Sequence, residues 1–294
     1  MFEFIDWDHL LILTAINAIG ALGYYITLSS GQFSVGHGAL YSLGAYVGGL
    51  VAIHLELPTF LYLLAGFVAA AVPGYLLSIA TARLRDLYFA VATYGFGGAT
   101  IELIQHVSLF NGPFGLGGVP MFTSLPFALA VLAFVTFMVW QWDRSLVYLL
   151  AAVTRSDQDV AVVLGIDVRR IRRAAFALGA GLAGVSGVLY VGNTTIITPA
   201  DGGFEQSLAL LLMVVIGGTQ SWRGPLLGAA IWTLLPEMLR FASTWRLVIF
   251  GAIAVLLMAV RPEGILGRAS PGACRSAWMA MRVMATRLGV RVGG

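Results

Sequence analysis

The placement of the charges constrains this chain more than any other feature. Residues 9–55 contain no Asp, Glu, Lys or Arg, and neither do 57–82, 103–142, 174–200 and 206–222. Shorter charge-free windows cover 87–101, 224–236 and 247–260. A hydrocarbon core of about 30 Å is crossed by about 20 apolar helical residues. The first window is long enough for two crossings, with a natural break at Ser29-Ser30-Gly31. The windows predict about nine transmembrane helices, with eight to ten as the range. They fall at roughly 9–28, 32–54, 58–82, 87–107, 124–142, 174–193, 206–220, 224–242 and 245–260. Pro58 opens the third, and Pro73 is expected to kink it. The segment 206–220 is short enough to be re-entrant. The expected fold is therefore all-α, a polytopic integral membrane protein.

Composition agrees and removes several functions. Charged residues make up 11% of the chain, against about 25% in soluble domains. All 17 basic residues are Arg. With no Lys, the chain cannot carry a P-loop nucleotide site or a Schiff-base lysine. The single cysteine, Cys274, excludes an internal disulfide framework. No cofactor, catalytic group or metal site is expected. The four histidines, His9, His37, His54 and His106, are dispersed.

The arginines set an expected orientation. With the C-terminus cytoplasmic and the N-terminus periplasmic, fifteen of the seventeen arginines lie on the cytoplasmic side; Arg240 and Arg246 do not. The acidic N-terminal stretch (Glu3, Asp6, Asp8) lacks the basic region of a cleaved signal peptide. One transmembrane domain is expected over 1–267, with a basic tail at 268–294. In that tail Arg275, Arg282, Arg287 and Arg291 alternate with Trp278, Met279 and Leu288, which suits a helix lying on membrane lipid, or a disordered tail.

Two segments carry candidate functional residues. The second span opens GQFSVGHGALYSLGAYVGGL at 31–50. Small residues there permit close helix approach and unwound backbone beside a cavity. Gln32, Ser34, Gly36 and His37 are candidates for a translocation path, or for polar packing of a central helix. Glu102, an intramembrane carboxylate near a helix end, is a further path candidate. The second segment is the interior loop at about 143–173. There Asp159-Val160-Ala161 is followed by Gly165-Ile166, the pattern of a short helix closed by a glycine cap. Such a helix could dock into a groove of a partner protein.

The motifs in order resemble the permease subunits of ABC importers for branched-chain amino acids, the LivM-type subunit in particular, a family that also includes urea and amide permeases. The matching stretches are GQFSVGHGALYSLGAY (31–46), LYFAVATYGFG (87–97) and NGPFGL (111–116). They continue through 155–190 and TPADGGFEQSLALLLMVVIGGTQSWRGPLLGA (198–229), and end on RPEGILG (261–267). The resemblance implies a homologous second permease, two cytoplasmic ABC ATPases and a periplasmic substrate-binding protein as partners, and no nucleic acid. It implies residence in the bacterial inner membrane. It further implies that the loop at 155–167 is a coupling helix, with Arg155, Asp157, Asp159, Ala161, Gly165 and Ile166 as ATPase-docking residues. The chain departs from the family pattern at Leu146, Leu149 and Ala152, where arginines are usual, and at Ser156, Gln158 and Val162, where acids are usual. Gly98 stands where the family often has Glu. The expected solute is a branched-chain or similar hydrophobic amino acid, with urea, short amides or another small organic solute as the alternative. An ion-coupled carrier would need paired intramembrane charges, and an intramembrane enzyme a nucleophile–base or metal constellation; the sequence displays neither.

Overall fold

A computed structural model describes residues 7–84, 86–238, 251 and 264–266. Charge-free stretches become helices because, in lipid, only a helix satisfies every backbone donor and acceptor within one segment. The described helices are α1 (Trp7–Ser29), α2 (His37–His54), α3 (Thr59–Ala80), α4 (Asp86–His106) and α5 (Leu125–Arg144). They continue with α6 (Leu146–Ser156), α7 (Gln158–Val163), α8 (Val168–Thr194), α9 (Phe204–Gly217) and α10 (Arg223–Met238). Five are long and apolar enough to cross a membrane: α1, α3, α4 from Leu87, α5 and α8. The protein is a multi-pass membrane protein. α2 has 18 residues and α9 only 14. Apart from Gly251, the span expected at 245–260 lies outside the described residues, as does the basic tail.

Three boundaries differ from the sequence reading. α2 starts at His37 rather than near 32, leaving an irregular segment after α1. α8 starts at Val168, six residues before the charge-free window, so it carries Arg169, Arg170, Arg172 and Arg173 on its first turns. Asp167 caps it, accepting from Arg170 N at 3.0 Å. The loop after α5 folds into two short helices. α3 runs through Pro73 as one helix.

α8 is the axis of the bundle. It packs against α1, α2 and α3, and most of it is buried. Its closest neighbours meet through small residues, since lipid tails supply no hydrophobic drive and association relies on tight backbone packing. Gly184 touches Gly44 of α2 and Gly66 of α3. α3 and α5 lie at the periphery, with few of their residues fully buried.

The two ends of the bundle differ. At one end Leu116–Gly117 (β1) pairs antiparallel with Ile196–Ile197 (β2), Leu116 opposite Ile197. Phe122 N and Thr123 N both donate to Gly192 O at 3.2 Å. These bonds fasten the 107–124 loop over the C-terminal end of α8. At the opposite end lie α6, α7 and the start of α8.

Candidate functional site

The segment 30–36 is irregular backbone inside the protein, and its polar groups are satisfied by tertiary partners rather than by a helix. Ser30, Gln32 and Ser34 are all buried. Gln32 Nε2 donates to Ser30 Oγ and to the Arg172 carbonyl, both at 2.8 Å. Arg172 donates back to the Gly31 carbonyl at 3.3 Å. Tyr24 Oη donates to Ser34 O at 2.8 Å, and Val35 N donates to Thr93 Oγ1 at 2.9 Å. An unmade bond here would cost the desolvation of the group, about 1–3 kcal/mol.

His37 opens α2 from within this segment. Its ring is fully enclosed, edge-on to Tyr24 and Phe176 with centroids 4.8 and 5.3 Å away. Nε2 lies 3.1 Å from Thr27 Oγ1, and Nδ1 has no hydrogen-bond partner among the described residues. At Gly36 a Cβ would stand 2.6 Å from the Thr93 carbonyl. So Gln32, Ser34, Gly36 and His37 are brought together in one buried polar junction of α1, α2, α4 and α8. Glu102 is not part of it: it lies on an exposed face of α4, where its carbonyl accepts from or faces His106 Nδ1 at 2.8 Å. Thr93 and Arg172 complete the junction. The sequence reading missed both, because Thr93 sits mid-helix and Arg172 lies in an arginine run.

α6 and α7 form the second candidate region. Ser145 caps α6 by accepting from Tyr148 N at 3.3 Å. Ala151 and Thr154 of α6 are buried, while Leu146 and Leu149 are exposed. Asp157 caps α7: its Oδ1 accepts from Asp159 N at 2.9 Å and Val160 N at 3.1 Å. Ala161 is the buried side of α7. Gly165, with φ +76°, ends it. Gly165 N bonds Val162 O and Ile166 N bonds Ala161 O, each at 3.0 Å, a Schellman closure that a left-handed glycine allows. Val160, Val162, Val163 and Leu164 project outward, Val163 with 85% of its surface exposed. A six-residue helix with an open apolar face is capped by hydrogen bonds at both ends.

The six loop residues therefore do different jobs. Arg155 is tied to Thr219, donating to its carbonyl at 3.2 Å and to its Oγ1 at 3.0 Å. The Arg155 backbone also lies against Gly31, which links the loop to the buried junction. Asp157 and Gly165 shape α7, and Ala161 seats it. Asp159 is exposed on its first turn and Ile166 is half-buried. Removing the cap, Asp157→Ala, is expected to loosen α7 by about 1 kcal/mol. Faster hydrogen exchange at the Asp159 and Val160 amides would register it; unchanged exchange would contradict the capping role.

Two further anchors escaped the sequence reading. Asp143, at the end of α5, accepts from Tyr25 Oη at 3.0 and 3.1 Å and from Trp222 N at 3.2 Å. It ties α5 to α1 and to the turn before α10. Asp143→Ala is expected to destabilise the bundle by about 1–3 kcal/mol by removing the acceptor that Tyr25 and Trp222 share, read as a lower thermal midpoint. Next, Ile265 N and Leu266 N donate to Ile216 O and Gly217 O, both at 3.0 Å. The last carbonyls of α9, which no helix partner can satisfy, are thereby capped by Ile265 and Leu266.

Long apolar helices packed through glycine contacts around a buried, irregular polar segment are the architecture of a multi-pass membrane protein. The chain belongs to the family described as "Branched-chain amino acid transport system / permease component", which matches residues 7–258. It is 29% identical to the high-affinity branched-chain amino acid transport system permease protein LivM of Escherichia coli (strain K12), over 88% of this chain and 69% of that protein. It is 28% identical to LivH of the same strain, over 85% of this chain and 91% of that one. BraD of Pseudomonas aeruginosa is 26% identical over 85% of this chain and 91% of its own length. In structure the chain is similar to PsaBC from Streptococcus pneumoniae in complex with Fab, with a TM-score of 0.50 and 14% identity, covering 95% of this chain and 96% of that one. That likeness concerns the fold alone.

Proposed function

We propose that this chain is one permease subunit of an ATP-binding-cassette importer for branched-chain or similar hydrophobic amino acids. It pairs with a homologous permease in the bacterial inner membrane. Solute arrives from a periplasmic binding protein, and two cytoplasmic ATPases supply the work. The chain crosses the membrane about nine times, with α6 and α7 at the cytoplasmic face.

The observation that carries this reading is the exposed apolar face of α7. A short helix showing Val160, Val162, Val163 and Leu164 to water would be unfavourable unless a partner covers it. The arginines of the first turns of α8 stand beside it, which fits the cytoplasmic side. α7 leads through Gly165 and Asp167 into α8, the buried axis of the bundle. Closure of the ATPases would therefore displace α8. The Gln32–Arg172 bonds would pass that displacement to the buried segment between α1 and α2. Alternating access then needs no nucleotide chemistry on this chain, and the absence of lysine agrees with that division of labour.

The test is reconstitution with the paired permease, the two ATPases and the binding protein in vesicles. ATP-dependent uptake of leucine, isoleucine or valine is expected. Uptake of urea or acetamide in preference to these would replace the solute assignment, and uptake by this chain without ATPases would remove the importer reading.

A further inference from the structure

A cavity of about 390 Å³ lies between α1, α2, α8, α9 and α10. It is far from α7, near the end of the bundle where α1 begins and α8 finishes. Its polar lining comes from Asn17, Tyr41, Tyr190, Asp201, Glu205 and Gln206, with Trp232 beside them. No cationic side chain lines it among the described residues. Its ionisable acids are the carboxyl groups of Asp201 and Glu205. One N–H of the Asn17 amide is committed to Thr233 Oγ1 at 2.9 Å, which leaves its carbonyl oxygen and the second N–H. Asp201 uses Oδ2 to accept from Thr198 N and Oγ1 at 2.7 and 2.8 Å, which leaves Oδ1. Glu205 is exposed.

Tyr41 is an independent sign of a ligand. It is 3% exposed and lines the cavity, yet its hydroxyl makes no hydrogen bond to another described residue. The side chain is buried, and its hydroxyl is left to whatever fills the cavity, since the polar groups of buried side chains nearly always find a partner. Its ring lies against that of Tyr190, centroids 5.8 Å apart, so two aromatic faces and the Trp232 indole flank the acceptors.

We infer that this cavity binds the primary ammonium group of the transported solute. An ammonium has three donors and no acceptor. It would satisfy Asp201, Glu205 and the Asn17 carbonyl together, with its charge favoured by the aromatic faces. Leu13 and Ala209, which also line the cavity, offer an apolar wall for an aliphatic side chain. The inference rests on the importer reading, and it names the part of the solute that this subunit recognises. Solutes lacking an amine, such as urea or 2-oxo acids, would be poorly held.

The experiment uses the assembled permease–ATPase complex carrying Gln206→Cys and Cys274→Ser. A cationic ethylammonium methanethiosulfonate should modify the new thiol faster than an anionic sulfonate reagent. Leucine and 3-methylbutylamine should both slow the reaction severalfold, and 4-methylpentanoate should not. Glu205→Gln should raise the leucine concentration for half-protection about tenfold, and Tyr41→Phe should raise it by a smaller factor. A thiol that does not react, or equal protection by 4-methylpentanoate, overturns the inference. So does half-protection unchanged by Glu205→Gln. ATP-driven leucine uptake by the same complex is measured in parallel. Uptake without amine-dependent protection defeats only this inference. Amine-dependent protection without uptake upholds the site and defeats the importer reading.

Discussion

Gly184→Leu is expected to abolish the folded protein. Gly184 sits where α8 meets α2 and α3 at once. A Cβ on Gly184 would press on the Gly66 carbonyl and stand 2.6 Å from Ala70 Cβ, and one on Gly44 would collide with the Gly184 backbone. Neither neighbour can turn aside, because the obstacle is backbone rather than the end of a side chain. Overpacking of a tight core costs about 1–3 kcal/mol for small insertions. Leucine adds four carbons where none fits, which exceeds the margin of about 5–15 kcal/mol that typical domains hold only if the helices cannot part. Parting them would separate α8 from both partners. Solubilised Gly184→Leu should run as aggregate, while Gly184→Ala should stay monodisperse with a lowered thermal midpoint. A monodisperse Gly184→Leu with an unchanged midpoint would refute the close-packing account.

Val163→Glu is expected to separate folding from function. Val163 is 85% exposed and contributes little to the fold. A carboxylate there is solvated in the isolated subunit and should leave insertion and thermal stability as they are. In the assembled importer it would be buried against an ATPase groove without a partner. A loss of 1.4 kcal/mol or more in docking corresponds to about tenfold in affinity, so ATP-driven uptake should fall more than tenfold and the ATPases should co-purify poorly. Val163→Ile, which keeps the face apolar, should retain uptake. Full coupled uptake by Val163→Glu would show that α7 is not the docking element.

The two variants probe features of unequal legibility in the sequence. The spans could be read from charge spacing, since an unpaired charge at membrane depth is costly whatever the tertiary arrangement. The glycine-closed turn at Gly165 could also be read, because a left-handed position after a short helix is a local requirement. The α2 boundary could not. Residues 32–36 look helical by composition, and they stay irregular because Arg172, Thr93 and Tyr24 satisfy them from elsewhere in the chain. The loop arginine and acids were read as docking groups by resemblance. In the structure Arg155 is tied to Thr219, and Asp157 caps α7.

The sequence by itself determined the class: a chain with so few charges, all its cations arginine, and windows long enough to cross a bilayer folds as a helical membrane protein that hydrolyses no nucleotide through a P-loop. Local chemistry suffices for this, because burial of charge and backbone satisfaction act on each segment separately. Tertiary structure decided which polar residues meet. The Gln32–Arg172 junction joins positions 140 residues apart. The Tyr41–Asp201–Glu205 cavity likewise draws on α2 and α9 across the bundle. Their function depends on distances that helix packing sets, and no spacing along the chain encodes them.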